Sequence, residues 1–220
     1  MVINRTRRDE LQLHRTTSAG KNIIAVTADS ELDTLKFVKR SNETNGVEFI
    51  QYFDYNGPNS DKPENPAPKF RLATPPTHFH CLATEEFQVI QGSIGVDVDG
   101  KEIILTKGKS FVVQPLVKHT FWAVGEENVE VKLKITFPTD QKIGFFDDTF
   151  FENFYGTMRD TKNNPNPIGL MYKLLENDVY LAEIPLSISK LLQHMLRLVA
   201  PIMGFKVHHE EYTTNYNVIQ

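Results

Sequence analysis

His78, His80, Glu85 and His119 combine residue types and spacings that can hold a metal ion. Neutral imidazole and ionised carboxylate suit iron, manganese, nickel, copper or zinc. Four such ligands leave open positions on a six-coordinate ion, where water, dioxygen or a chelating substrate can bind. Phe79 separates the first two histidines, so in an extended strand both imidazoles point to one face. Glu86 competes with Glu85 for the ligand role. Glu85 shares its parity with Phe87 and Val89, so it is expected to point inward and Glu86 outward. Cys81 follows His80 directly and would face away from the pair. It reads as a small buried hydrophobe, not as a ligand or nucleophile.

These ligands need strands to carry them, and residues 71–139 are dense in strand signals. Phe87 to Gln91 ends at Gly92. Ile94 to Val98 runs into Asp99-Gly100, a two-residue hairpin signal, and Lys101 to Leu105 returns. Ser110 to Val113, His119 to Val124 and Val129 to Ile135 follow. Short strands at this spacing indicate a sandwich or barrel. Lys21 to Val26 and Val47 to Phe53 add strand-like runs upstream.

Beyond residue 140 the apolar period becomes helical. Helices are expected over Asp147 to Met158, Pro167 to Asn177 and Ser187 to Met203, with Pro201 kinking or ending the last. The apolar stripe of that last helix (Ile188, Leu191, Leu192, Met195, Leu196, Val199, Ile202 and Met203) is expected to pack on the barrel's outer face or across its mouth. Such stripes usually mark a core face. A dimer contact or a membrane-surface contact is the alternative. His208-His209-Glu210-Glu211 reads as a solvated charged tail.

The register can be written out: His78, one residue, His80, four residues, Glu85, six residues, Gly92; then Gly108, ten residues, His119. Over roughly residues 70–137 this resembles the two motifs of the cupin superfamily. The departures fall at turn positions. Gln114 stands where Pro is usual, with Pro115 one step later. Leu116 replaces the usual Gly, Ala123 stands where Asn is common, and Leu72 occupies the leading Gly position of the first motif. The resemblance implies a mainly β chain: a single double-stranded β-helix barrel, jelly-roll-like, with C-terminal helices packed on it. It also implies one divalent metal ion inside, bound by His78, His80, Glu85 and His119. The layout is similar to small single-barrel, fungal-type cupins with a helical C-terminal extension, some of which sit in natural-product pathways. On this reading residues 1–70 supply N-terminal strands and a Pro-rich loop, 71–139 the core barrel and 140–220 the extension.

In a barrel, alternate residues of the inner strands face the metal. By parity these include Phe87, Val89, Phe111 and Val113, and later Phe121, Leu133 and Ile135. Polar groups that could orient a substrate are Arg71 and Gln114, with Gln88, Lys132 and Tyr52. The mostly apolar wall suits a small, largely apolar organic molecule. The function expected is a metalloenzyme, a dioxygenase-type oxidoreductase ahead of a redox-neutral cyclase, isomerase or lyase. A non-catalytic small-molecule binder is the alternative from another class. The Pro-rich loop from Asn56 to Pro68 is expected to border the pocket mouth.

Composition narrows the partners. The 220 residues carry a net charge of −4 and no basic stripe, which argues against nucleic acid. Cys81 is the sole cysteine, so no intramolecular disulfide forms and a reducing compartment is favoured. The N-terminus lacks a secretory apolar core. Lys190, Gln193, His194, Arg197 and Pro201 interrupt the apolar run from Leu186 to Phe205, so no stable membrane insertion is expected. A cytoplasmic protein with a small-molecule substrate follows, and a homodimer is open to it.

Overall fold

The computed structural model describes residues 16–18, 21–26, 35–37, 46–53, 75–138 and 164–209, with residues 150, 151, 153, 154, 157 and 161. Arg71, the loop from Asn56 to Pro68, and Glu210 with Glu211 lie outside the described residues.

Twelve strands and two complete helices are described: β1 (Thr16–Ser18), β2 (Lys21–Val26), β3 (Leu35–Phe37), β4 (Gly46–Phe53), β5 (His78–Phe79), β6 (Thr84–Gln91), β7 (Ser93–Val98), β8 (Lys101–Thr106), β9 (Ser110–Val113), β10 (His119–Val124), β11 (Val129–Thr136), α1 (Pro167–Glu176), β12 (Tyr180–Leu181) and α2 (Leu186–Ile202). The strands form two antiparallel sheets, ordered β1-β2-β3-β4-β11-β6-β9 and β12-β5-β10-β7-β8. The sheets face each other, with the rings of Phe87 on β6 and Phe121 on β10 meeting at 5.0 Å. The fold is mainly β, with helices packed at one edge.

Alternation decides which side chains enter the core. On β11, Val129, Val131, Leu133 and Ile135 are buried, whereas Glu130, Lys132 and Lys134 between them are not. Each fully buried aliphatic or aromatic side chain contributes on the order of 2 kcal/mol. Asp99 and Gly100 take φ of 49° and 81°, the left-handed pair that closes the β7–β8 hairpin. Gly95 on β7 pairs with Trp122 on β10. A Cβ on Gly95 would lie 2.3 Å from the indole, so Trp122 lies across a position that only glycine can fill.

Helix α1 starts where Asn166 Oδ1 accepts from the Ile168 and Gly169 amides, with Pro167 in the first turn. It ends at Asn177, and Asp178 turns the chain with φ of 58°. Phe79 stacks on Tyr180 at 5.5 Å, and Leu175, Met171, Leu192 and Leu196 close over that pair. This cluster joins both helices to the outer side of β5. Cys81 packs against it, and burial raises its thiol pKa, with Asp178 adding to the rise. Of the earlier expected helix, Phe150, Phe151, Asn153, Phe154 and Thr157 are helical, and Phe151 meets Phe49 of β4 at 4.3 Å.

Two expectations need correction. The apolar stripe of α2 divides: Leu192 and Leu196 pack with Phe79 and Tyr180 on the outer side of β5 beside the buried Ser189, Gln193 and Ala200, whereas Ile188, Leu191, Met195, Val199, Ile202 and Met203 are exposed. Gln193 can be buried because its Nε2 donates to Leu175 O at 2.6 Å. The tail is not solvated at His208 and His209. Both are half-buried, and the His209 amide donates to Asn153 Oδ1 at 2.6 Å.

Candidate metal centre

The two sheets bring the four ligand candidates together. His119 opens β10 and pairs directly with His78 on β5, and His80 follows that strand by one residue. Glu85 comes from β6 in the opposite sheet. One ligand atom from each of the four lies within 4.8 Å of the others, and all four residues are buried. Glu86 alternates to the less buried face, as parity requires.

The three imidazoles are anchored alike. Nδ1 of His78 donates to Pro76 O at 2.9 Å, Nδ1 of His80 to Asp178 O at 2.9 Å, and Nδ1 of His119 to Val117 O at 3.0 Å. A carbonyl can only accept, so each Nδ1 carries a proton and each ring turns its Nε2 inward. Carbonyl partners of this kind orient metal-binding histidines. Glu85 Oε2 lies 2.8 Å from His119 Nε2 and 3.5 Å from His80 Nε2. Two lone-pair acceptors at 2.8 Å repel unless a cation lies between them. That cation is either a proton on His119 or a metal ion, and the donor set fits a divalent transition metal.

Electrostatics agree with this fit. Burial pushes the Glu85 carboxyl up, but its contacts with His119 and then His80 outweigh burial and hold it well below the ordinary carboxylate range. Burial pulls His119 down, yet the hydrogen bond and charge of Glu85 leave it above the ordinary imidazole value. His78 sits well below that value, through burial first and then the proximity of His119 and His80. A carboxylate kept ionised beside an imidazole that holds its proton is a cation-accepting pair, in which a metal ion would take the place of that proton.

Asp178 does two things here. Its carbonyl holds His80, and its carboxylate accepts from the amides of Cys81 at 3.2 Å, Leu82 at 2.9 Å and Ala83 at 3.3 Å. One residue after α1 therefore fixes both a ligand and the loop joining His80 to Glu85. Sequence reasoning missed it, since it lies 98 positions from His80. The available signal was Asn177-Asp178 at a helix end, where a short polar residue takes the left-handed turn.

The expected wall residues divide. Val113 and Ile135 flank Glu85 on the neighbouring strands, and Phe111 and Leu133 flank Phe87. Phe87, Val89, Val113, Phe121, Leu133 and Ile135 are buried in one core, with Phe111 half-buried against it. The Phe87 ring stands 6.3 Å from that of His119. Gln114 is exposed. Gln88 and Lys132 share the opposite face, where Lys132 lies 3.9 Å from Glu48, so neither orients a substrate inside. The Tyr52 side chain is outside the described residues. Its neighbour Gln51, buried between Phe49 and Phe53, is the polar inward residue of β4 and was legible from that parity.

A family model for the cupin domain matches residues 72–136. The chain carries a cupin domain. This cupin is 29 % identical over 157 residues to the probable oxidoreductase virH of Hypocrea virens, covering 67 % of this chain and 72 % of that protein. It is 30 % identical over 156 residues to the probable oxidoreductase yanE of Aspergillus niger, covering 65 % and 60 %. It is 25 % identical over 153 residues to the epoxidase atD of Aspergillus terreus, covering 65 % and 48 %. The match thus spans less than two thirds of the latter two proteins' own length. Among solved structures, an RmlC-like cupin from Shewanella frigidimarina aligns over 58 % of this cupin and 93 % of its own chain, at 17 % identity and a TM-score of 0.38, too distant to argue from. Among the described residues no helix is long and apolar enough to cross a membrane.

Proposed function

We propose that this cupin is a metal-dependent oxidoreductase of dioxygenase type acting on a small, largely apolar organic molecule. The observation that carries the reading is the convergence of three anchored imidazoles and one ionised carboxylate, all buried beside an aromatic wall. His78, His80, Glu85 and His119 would hold a divalent ion, which supplies Lewis acidity toward substrate oxygens and, as iron, reactivity toward dioxygen. The chain's own residues do the rest. Pro76, Val117 and Asp178 carbonyls fix the rings, so no reorientation accompanies binding. Phe87, Phe121 and Val113 pack together in the core beside the four ligand candidates, which keeps water out on that side and gives the site apolar surroundings. Relatives named oxidoreductase and epoxidase favour redox chemistry over isomerisation. We place the protein in the cytoplasm and in natural-product assembly, in line with its single cysteine and fungal relatives.

The test is elemental analysis with oxygen uptake. Purified protein should hold close to one equivalent of transition metal, and His80→Ala with His119→Ala should lose it while keeping its β-sheet spectrum. Iron-loaded protein should consume dioxygen with apolar aromatic or terpenoid-like candidates. Metal binding without oxygen uptake under any loading would replace the oxidoreductase with a redox-neutral lyase or isomerase.

A further inference from the structure

Helix α2 is apolar on two faces: Leu192 and Leu196 pack on Phe79 and Tyr180, and a second apolar row is exposed. Its buried positions are Ser189, Gln193 and Ala200, whereas Leu191, Met195, Leu198 and Ile202 are 62 %, 52 %, 73 % and 86 % exposed. Side chains three and four positions apart share a helix face, so these four make one row, flanked by exposed Ile188 and Val199. Surface helices ordinarily show the reverse arrangement. The row and its flanks expose roughly 650 Å², somewhat less than each partner contributes to a standard interface. Contiguous apolar patches of this size are uncommon on monomers.

We propose that this row is a self-association surface, on which a second copy of the chain docks its own α2 in a two-fold dimer. Charge does not oppose a like partner. Arg197 Nε donates to Glu176 Oε1 at 2.7 Å, and Lys190 Nζ donates to the Tyr180 hydroxyl at 2.5 Å. Both cations keep their charge, but their side chains are engaged within the protomer and project from a different face than the row, so two copies can meet through aliphatic and Met side chains. The same engagement disfavours an anionic lipid surface, which is held by free Lys and Arg and by Trp or Phe anchors. The row has no aromatic residue. An isologous contact places the same patch on both copies, and helices crossing at the middle of the row put Met195 against its own counterpart.

The test is sedimentation of the full chain. Wild type should be dimeric in the micromolar range, and Leu191→Glu with Leu198→Glu should halve the mass at unchanged metal content and circular dichroism. On a Cys81→Ser background, Met195→Cys should form an interchain disulfide under mild oxidation and Glu183→Cys should not. If the double variant misfolds, Leu198→Gln and the disulfide pair decide. A wild type monomeric throughout that range, or a folded double variant that stays dimeric, overturns the proposal. So does a monomer that floats with phosphatidylcholine–phosphatidylserine vesicles through this row, which would assign the surface to lipid.

Discussion

Asp178 holds two parts of the site with two different groups, and they can be separated by substitution. Asp178→Gly keeps the left-handed turn and the carbonyl to His80 but frees the amides of Cys81, Leu82 and Ala83. Partners of this kind are commonly worth ~10–100-fold in metal affinity. Asp178→Gly is expected to lose about that factor in a chelator competition, with His78 and His119 still in place. An unchanged affinity would make Asp178 a turn residue only. The proton that competes with metal sits on His119, whose pKa is raised by Glu85. Metal affinity should therefore begin to fall, as pH is lowered, above the ordinary imidazole value. In Glu85→Gln, which lacks the carboxylate, the proton is held less tightly and the fall should move to lower pH. Calorimetric titration in buffers of different ionisation enthalpy reads both the affinity and the proton release.

At the scale of elements, strand parity was the most legible feature. Glu85 inside and Glu86 outside, and the alternation along β11, follow from a period of two and a need to bury Phe87 and Leu133. The helical period of α2 was equally visible, but periodicity shows only that a stripe exists and not what it faces. Two members of the stripe, Leu192 and Leu196, meet the protomer beside a hydrogen-bonded Gln193, and the rest of it is exposed. Asp178 was invisible because its partners are distant in sequence and its type is ordinary at a helix end. The turn before β10 shows how much a departure can hide. Leu116 stands where glycine is usual, yet it keeps φ of 69°, and its amide donates to His80 O at 2.7 Å. Holding a side chain in that region costs roughly 1–2 kcal/mol, so Leu116→Gly should raise the denaturation midpoint without moving His80. On β7 the opposite holds. Gly95→Ala drives a methyl into Trp122 and should cost about 1–3 kcal/mol, read as a lowered midpoint together with altered Trp fluorescence.

At the scale of the whole molecule, residues 178–181 tie the C-terminal helices to the strands before them. Tyr180 stacks on Phe79, β12 pairs with β5, and Asp178 holds His80. Truncation before Asp147 removes all three and exposes the edge of β5. The fragment 1–146 is expected to aggregate and to retain no stoichiometric metal, and a soluble, metal-loaded fragment would refute this. The bond from His80 to Asp178 also has a consequence in time. Chains emerge from the ribosome N-terminus first and begin folding as they do. The strands through Thr136 can pair while α1 is still being made, but His80 has no carbonyl to hold its ring until residue 178 is out. Completion of the ligand set thereby waits on residue 178, and a ribosome stalled before that residue would display a sheet pair without a finished ligand set.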